Sequence, residues 1–336
     1  HLQFPKVVPL LVSYINYIQI SLHTVLRCYT SCMSAEDIIS IAKGDTNINE
    51  KFEEVGKLEK HKEDAETLRK NILQTLEDYK ESGVEKWELS MSCGLMLFSL
   101  MIPLHLETYG VKDKGVKSQE EKEKISNIYD KISVVSNTVE KFYRENIDKD
   151  WKQVFSGFAA EIACAVTLKR GGFDVYIPDK TDDTEGKIDL LAFDRDNMLF
   201  PIQVKSSSLL KDVVTEDLTQ KSINYVEEQI VSKWDNKFNS GDSNIVASSR
   251  VKLQDMLNST HGSCQQLLTY LSPVINKKNA INVIPILTAI PGGENEDSLY
   301  NYRNGSLTKM SENILAEKIC DKLIEISYYH EGVEYV

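Results

Sequence analysis

The spacing of apolar residues divides the chain into a helical first half and a mixed second half. Ile48, Phe52, Val55, Leu58, Ala65, Leu68, Ile72, Leu76 and Tyr79 recur every three or four positions with Glu and Lys between them, which predicts a long amphipathic helix over 47–81. Gly83 follows as its stop. Leu89 to Leu106 is apolar all round, the pattern of a central helix covered by neighbours on every face. Its length of about 18 residues would also suit a membrane span, against which Ser90, Ser92, Ser99, Pro103 and His105 argue. Ser118 with Glu121 makes a capping-box pattern, and Ile125, Ile128, Ile132, Val135, Val139 and Phe142 carry a helical stripe to about residue 146. Residues 33–150 thus read as an all-α bundle or arm whose stripe serves packing within the chain, or alternatively a homodimer or a protein partner.

The pattern changes near Trp151. A helix with small residues runs from Trp151 to about Leu168 and ends at Arg170-Gly171-Gly172, where the double Gly supplies a left-handed cap. Strand-like runs follow at Phe173–Ile177, Lys187–Phe193 and Met198–Lys205. A polar helical region is expected from about Thr215 to Phe238, an apolar strand from Ile281 to Ile290, and a final helix from about Ser311 to Tyr329. The order α-β-β-β-α-β-α predicts an α/β domain over 151–336, a mixed β-sheet flanked by helices, preceded by the all-α domain.

Composition adds limits. The 336 residues, 41% hydrophobic and 27% charged, suit a globular protein of about two domains. The net charge of -12 excludes a protein held to nucleic acid by a global positive field. Residues 1–150 hold 20 Lys+Arg against 25 Asp+Glu, and residues 151–336 hold 19 against 26, so the mixed half is slightly the more acidic. Six scattered cysteines show neither a disulfide framework nor CxxC pairs, which favours a reducing, cytoplasmic setting. Cys28 and Cys32 stand one helical turn apart, but nothing else marks them as a metal or redox pair. Val7 to Leu26 lacks charged residues, yet Pro9, Ser13, Asn16, Gln19, Ser21 and His23 interrupt it, so a membrane-spanning segment is not expected there. Met33-Ser34-Ala35-Glu36 reads as a start followed by a helix N-cap, making 1–32 an upstream read-through or extension.

Three features of the second half carry chemistry. Glu161 interrupts an apolar helix, with Gly157 and Ala165 on the same face, and a buried carboxylate is costly unless paired or metal-bound. Asp189 interrupts the strand Lys187-Ile-Asp-Leu-Leu-Ala192, where burial and strand propensity both disfavour a charge. Gln203-Val204-Lys205 ends the next strand, with Gln203 and Lys205 on one face and Val204 on the other. Adjacent strands would bring Asp189 beside Gln203 and Lys205.

An acid in a helix, an acid in a strand and Gln-x-Lys on the next strand, in that order, resemble the PD-(D/E)XK nuclease superfamily with its restriction-endonuclease-like fold. The wording Gly157-Phe-Ala-Ala-Glu161, Ile188-Asp189-Leu-Leu-Ala192 and Ile202-Gln203-Val-Lys205-Ser206-Ser207 is similar to that of Mrr-type restriction endonucleases and archaeal Holliday-junction resolvases. The resemblance covers about residues 151–330. It implies that Asp189 binds a catalytic divalent cation, Mg²⁺ or Mn²⁺. Gln203 replaces the second acid, the Val204 carbonyl adds a neutral ligand, Glu161 reaches the metal directly or through water, and Lys205 is the catalytic lysine. The implied activity is metal-dependent phosphodiester hydrolysis by a DNA endonuclease in restriction, defence or repair, with DNA favoured over RNA as partner. The alternative is a catalytically inactive nuclease-fold protein that binds nucleic acid or protein.

Competing residues are set against these. Asp179, after Pro178, lies in a polar loop with Asp182, Asp183 and Glu185 that reads as a solvated acidic turn, so Asp189 is preferred as the ligand. Ser206, Ser207 and Ser208 suit either phosphate contact or a polar strand exit. His261 and His330 have no evident partners and are assigned no catalytic role.

Overall fold

Helix α1, Ala65–Glu81, begins where the Asp64 carboxylate accepts hydrogen bonds from the Glu66 and Thr67 N–H groups, and it is followed by Gly83 at φ +82°. The computed structural model describes residues 63–115, 118–148, 151–178, 183, 185–194, 198–234, 243–275, 282–292 and 298–331. The expectations for residues 1–32 and for a helix over 47–62 lie outside them, as does Asp179. Helix α2, Lys86–Asp113, contains the apolar run and is the one helix among the described residues long and apolar enough to cross a membrane; most of that run is buried inside the protein. Helix α3, Gln119–Asn146, opens on the Ser118–Glu121 capping box read from the sequence.

Helix α4, Trp151–Arg170, ends at Gly172 with φ +92°. It has two apolar faces. Phe155, Ile162 and Val166 join the core of α1, α2 and α3, while Ala159, Ala160, Ala163, Cys164 and Leu168 pack toward the sheet. The run of alanines is what allows α4 to lie close to the strands.

The sheet comprises β1 Asp174–Tyr176, β2 Leu190–Phe193, β3 Met198–Ser207, β4 Val214–Asp217, β5 Asn282–Val283 and β6 Ile286–Pro291, in the order β1-β2-β3-β6-β4 with β5 paired to the start of β3. β1, β2 and β3 are antiparallel neighbours, β6 is parallel to β3, and β4 is antiparallel to β6. Helices α5, Ile223–Ser232, and α6, Ser243–Leu271, connect the edge strand β4 to β5 and β6 and cover one face of the sheet. The other face is covered by α4 and by α7, Lys309–Leu315, which continues through a π-helical turn, Ala316–Asp321, into α8, Lys322–Glu331.

The architecture is therefore mixed α/β with a mixed sheet, as expected, but the second half differs from the sequence reading in three places. Thr215 to Asp217 belongs to β4 rather than to a helix, which starts only at Ile223, capped by the Ser222 hydroxyl. Helix α6 was not anticipated. The run expected as a single strand from Ile281 is two short pieces, because Pro285 between them has no N–H for the ladder.

Candidate functional site

The site forms where β2 begins and β3 ends. Lys187 takes a left-handed conformation, φ +54°, which turns the chain into β2. The Asp189 N–H then donates to the Ile202 carbonyl at 2.9 Å, placing Asp189 one residue before the first ladder pair, Leu190 with Ile202. From there its carboxylate crosses to β3. Asp189 Oδ2 accepts from the Val204 N–H at 2.6 Å and from Gln203 Nε2. The same Gln203 Nε2 also donates to the Val204 carbonyl at 3.2 Å. Expected neighbours Asp189, Gln203 and Val204 are thus in direct contact.

Glu161 reaches this point from α4. Together with Asp183 and Asp189 it lines a cavity of about 20 Å³, whose other walls are Met91, Leu95 and Phe98 of α2 and Ile177 and Pro178 after β1. Burial raises the Glu161 carboxyl well above its ordinary value, and the charges of Asp189 and Asp183 raise it further against the pull of Lys205. Asp189 is pushed up to about 7, first by burial and then by Asp183, with the Val204 N–H, Lys205 and Lys187 opposing. Lys205 therefore lies within electrostatic reach of both carboxyls. It is partly buried, and its field also acts on the Cys264 thiol of α6.

Asp183 is a correction. It is partly buried, faces Glu161 and Asp189, and its carboxyl is raised by burial against the pull of Lys187, so it is not part of a solvated turn. Polar neighbours in the sequence hid it, since only tertiary packing brings Met91, Leu95 and Phe98 of α2 to the cavity that Asp183 lines. Tyr300 was also missed. Its buried hydroxyl bonds the Ser156 carbonyl at 3.1 Å, and it is close enough to Ser206 and Glu161 for both to affect its ionisation. Ser207 closes the strand exit, its Oγ accepting from the Leu209 N–H at 3.2 Å and its carbonyl from the Gly292 N–H at 3.0 Å.

The two histidines do have partners. His261 Nδ1 lies 2.9 Å from Glu227 Oε1, and His330 Nε2 lies 2.7 Å from Asp217 Oδ2. Both are contacts between elements distant in sequence, invisible to local spacing.

The donor set can be tested against a divalent cation. Among the described residues no group of three or more His, Cys, Asp and Glu side chains is arranged to hold a metal ion alone. The Gln203 amide supplies the missing part. Its Oε1 is buried without a hydrogen-bond partner, while its Nε2 sits between two oxygens, Asp189 Oδ2 and Val204 O. An amide turned the other way would put three oxygens together and would need a cation among them. Carboxylate, amide and carbonyl oxygens are the ligands that Mg²⁺ and Mn²⁺ take. The residues fit such an ion.

The chain matches no family model, no curated protein and no solved structure.

Proposed function

We propose that the chain is a metal-dependent nuclease that hydrolyses phosphodiester bonds, a DNA endonuclease of restriction, defence or repair, built on a restriction-endonuclease-like fold. One observation carries this reading: Asp189, Gln203 and Val204 converge on two adjacent strands, with Glu161 facing them from α4 and Lys205 two residues along the same strand face. The element order supports it, since α4, β1, β2, β3, the α5–α6 crossover and β6 follow the expected α-β-β-β-α-β sequence with β4 and α6 added.

In this reading Asp189, the Gln203 amide oxygen and the Val204 carbonyl hold the cation, with Glu161 binding it directly or through water. A bound Mg²⁺ or Mn²⁺ would supply Lewis acidity and a water of lowered pKa. The chain's own contribution is positioning. The Val204 N–H fixes Asp189, α4 fixes Glu161, and the Lys205 ammonium orients the attacking water or offsets charge developing on the phosphate. The acidic chain makes the cation and Lys205 the local source of positive charge for the phosphate, so binding weakens without metal and with salt.

A second reading, a catalytically inactive nuclease-fold protein that binds nucleic acid or protein, is favoured by one feature. The carboxylates face a cavity of only about 20 Å³ under α2, too small for a nucleotide. The two readings separate in a Mg²⁺- and Mn²⁺-dependent cleavage assay on linear, circular, branched and single-stranded DNA and on RNA. The nuclease reading expects metal-dependent cleavage lost in both Asp189→Ala and Lys205→Ala. Cleavage that survives both substitutions belongs to another site. Absence of cleavage with retained binding favours the second reading.

A further inference from the structure

The sheet ends on β4, and a groove of about 970 Å³ runs along that edge. One wall is α5, with Gln229 and Lys233, and the other is the π-helical turn Ala316–Asp321 with α8. The volume stands at the upper end of the roughly 300–1,000 Å³ that ligand sites enclose.

The floor of the groove presents polar groups that β6 does not use. The Leu218 N–H donates to the Pro285 carbonyl at 3.0 Å, which makes Glu216–Leu287 and Val214–Ala289 the hydrogen-bonded pairs of this antiparallel ladder. The main-chain N–H and carbonyl of Thr215, between them, therefore point outward from the sheet edge. Thr215 is 6% exposed and lines the groove, and its Oγ1 is buried with no hydrogen-bond partner among the described residues. An unmet main-chain donor and acceptor beside an unmet hydroxyl are what an added strand satisfies.

The walls set the charge of that strand. Each of the three lysines lining the groove already has an acid, Lys233 at 3.1 Å from Asp212, Lys318 at 3.4 Å from Glu317 and Lys322 at 3.0 Å from Glu325. Two further carboxylates remain, Glu216 in β4 and Asp321 at the end of the π turn, and neither has a hydrogen bond or salt bridge among the described residues. Burial raises the Glu216 carboxyl against the pull of Lys322 and Lys221, so an entering cation would relieve it. The exposed Tyr329 ring adds an apolar surface to the groove.

We propose that this groove is a docking site for an extended, Lys- or Arg-rich peptide segment of a partner protein, which adds as a strand to the open edge of β4. A second copy of β4 would set Glu216 and Asp217 against the same acids, and nucleic acid would bring further negative charge, so both fit the groove less well. The site stands apart from the Glu161–Asp189 centre, and its test needs no cleavage.

Fluorescence anisotropy on the full chain uses the labelled peptide Lys-Val-Lys-Val-Lys-Val-Lys. The peptide binds, and its affinity falls at least tenfold when alternate peptide nitrogens are methylated, which removes main-chain donors without touching charge. The affinity falls at least tenfold also in the double variant Glu216→Lys, Asp321→Lys, checked for folding by thermal melting, and the counterpart peptide with Glu in place of Lys does not bind. Equal binding of the plain and methylated peptides overturns strand addition, and equal binding to the unmutated protein and a folded double variant overturns the groove as the site. Should the double variant fail to fold, the methylated peptide decides. No binding at all overturns the proposal, as does sedimentation showing a dimer that the double variant breaks and the peptide does not, which would make a second copy the occupant.

Discussion

The Val204 N–H donates to Asp189 Oδ2 across 2.6 Å, and this bond joins the start of one strand to the end of its neighbour at the point where three acids meet. A backbone donor holds the carboxylate even when it is ionised, yet burial and Asp183 keep its pKa near 7. The site is therefore assembled in advance but electrostatically unfavourable when fully charged.

That tension sets a pH dependence. A carboxyl raised in the folded state from 3.8 to about 7 destabilises the fold as pH climbs through that window, and the full penalty is present above it. By linkage the effect is on the order of 2–4 kcal/mol. In Asp189→Asn the new amide oxygen can still accept from the Val204 N–H and from Gln203 Nε2. Urea denaturation at pH 5 and pH 8 without metal should show the variant gaining stability over the unmutated protein as pH rises. Parallel curves would remove the electrostatic argument.

Asp183→Asn tests the residue that sequence spacing left in a loop. Removing its charge removes the second cause of the raised Asp189 pKa and one cause of the raised Glu161 pKa. Mn²⁺ binding, which competes with protons for these carboxyls, should then reach half its maximum at a lower pH. Calorimetric titration across pH 5.5–8 reads the shift. An unmoved midpoint would place Asp183 outside the site.

Asp217 behaves in the opposite sense. Burial raises its pKa, but hydrogen bonds from His330 at 2.7 Å and from the Thr219 N–H and hydroxyl, both at 2.7 Å, outweigh burial and hold it below the usual carboxylate range. Its contribution is present above about pH 4 and lost as pH falls through the lowered value. Asp217→Asn should cost about 1–3 kcal/mol at pH 7 and flatten the acid side of the stability profile. Loss of stability equal at pH 3 and pH 7 would contradict this account.

The parts of the fold visible in sequence were those whose buried faces are apolar. The stripes of α1 and α3, the alanine face of α4 and the continuous apolar run that opens β3 each announce their element. Helix α6 does not, because Ser249, Thr260 and Ser263 occupy buried positions among Met256, Cys264 and Leu267 and dilute its stripe. Strand β4 is hidden for a related reason. Thr215 and Asp217 are polar yet buried, Thr215 opposite Thr288 on β6 and Asp217 against His330. Of the candidate site, Glu161, Asp189, Gln203 and Lys205 stand out in sequence because a charged or polar side chain is out of place in an apolar element. Asp183 and the covering face of α2 could not, since neither looks unusual until the two halves pack together.

Gly305 shows how that packing is fixed. It sits at φ +70°, and a Cβ there would come within 2.8 Å of both the Ala159 carbonyl oxygen and Ile162 on α4. Its turn carries the Arg303 carbonyl, which accepts from Ser136 of α3 at 2.9 Å, and the Asn304 carbonyl, which accepts from His105 of α2. Gly305→Ala combines a strained backbone with a clash against main chain, an expected cost of about 2–4 kcal/mol. Chemical denaturation measures it. A variant as stable as the unmutated protein would mean that the turn can move away from α4 freely.

His105 makes the same joint sensitive to acid. Its ring is buried and its pKa is pushed down to about 4, by burial first, with the Asn304 carbonyl opposing and Lys112 adding to the fall. A histidine depressed from 6.5 to about 4 favours the fold fully above the upper value and loses that contribution as pH drops through the window, up to about 3 kcal/mol in all. Protonation gives both ring nitrogens a donor and leaves a charge among apolar neighbours, so the bond to Asn304 survives while the burial becomes unfavourable. His105→Gln can still donate from its amide to the carbonyl but cannot titrate. The unmutated protein should therefore lose stability relative to His105→Gln between pH 6.5 and 4, with amide exchange in the C-terminal part of α2 accelerating over the same range. If stability difference and exchange both stay flat across that interval, the ring is already accommodated as a cation and this joint is not the acid-sensitive one.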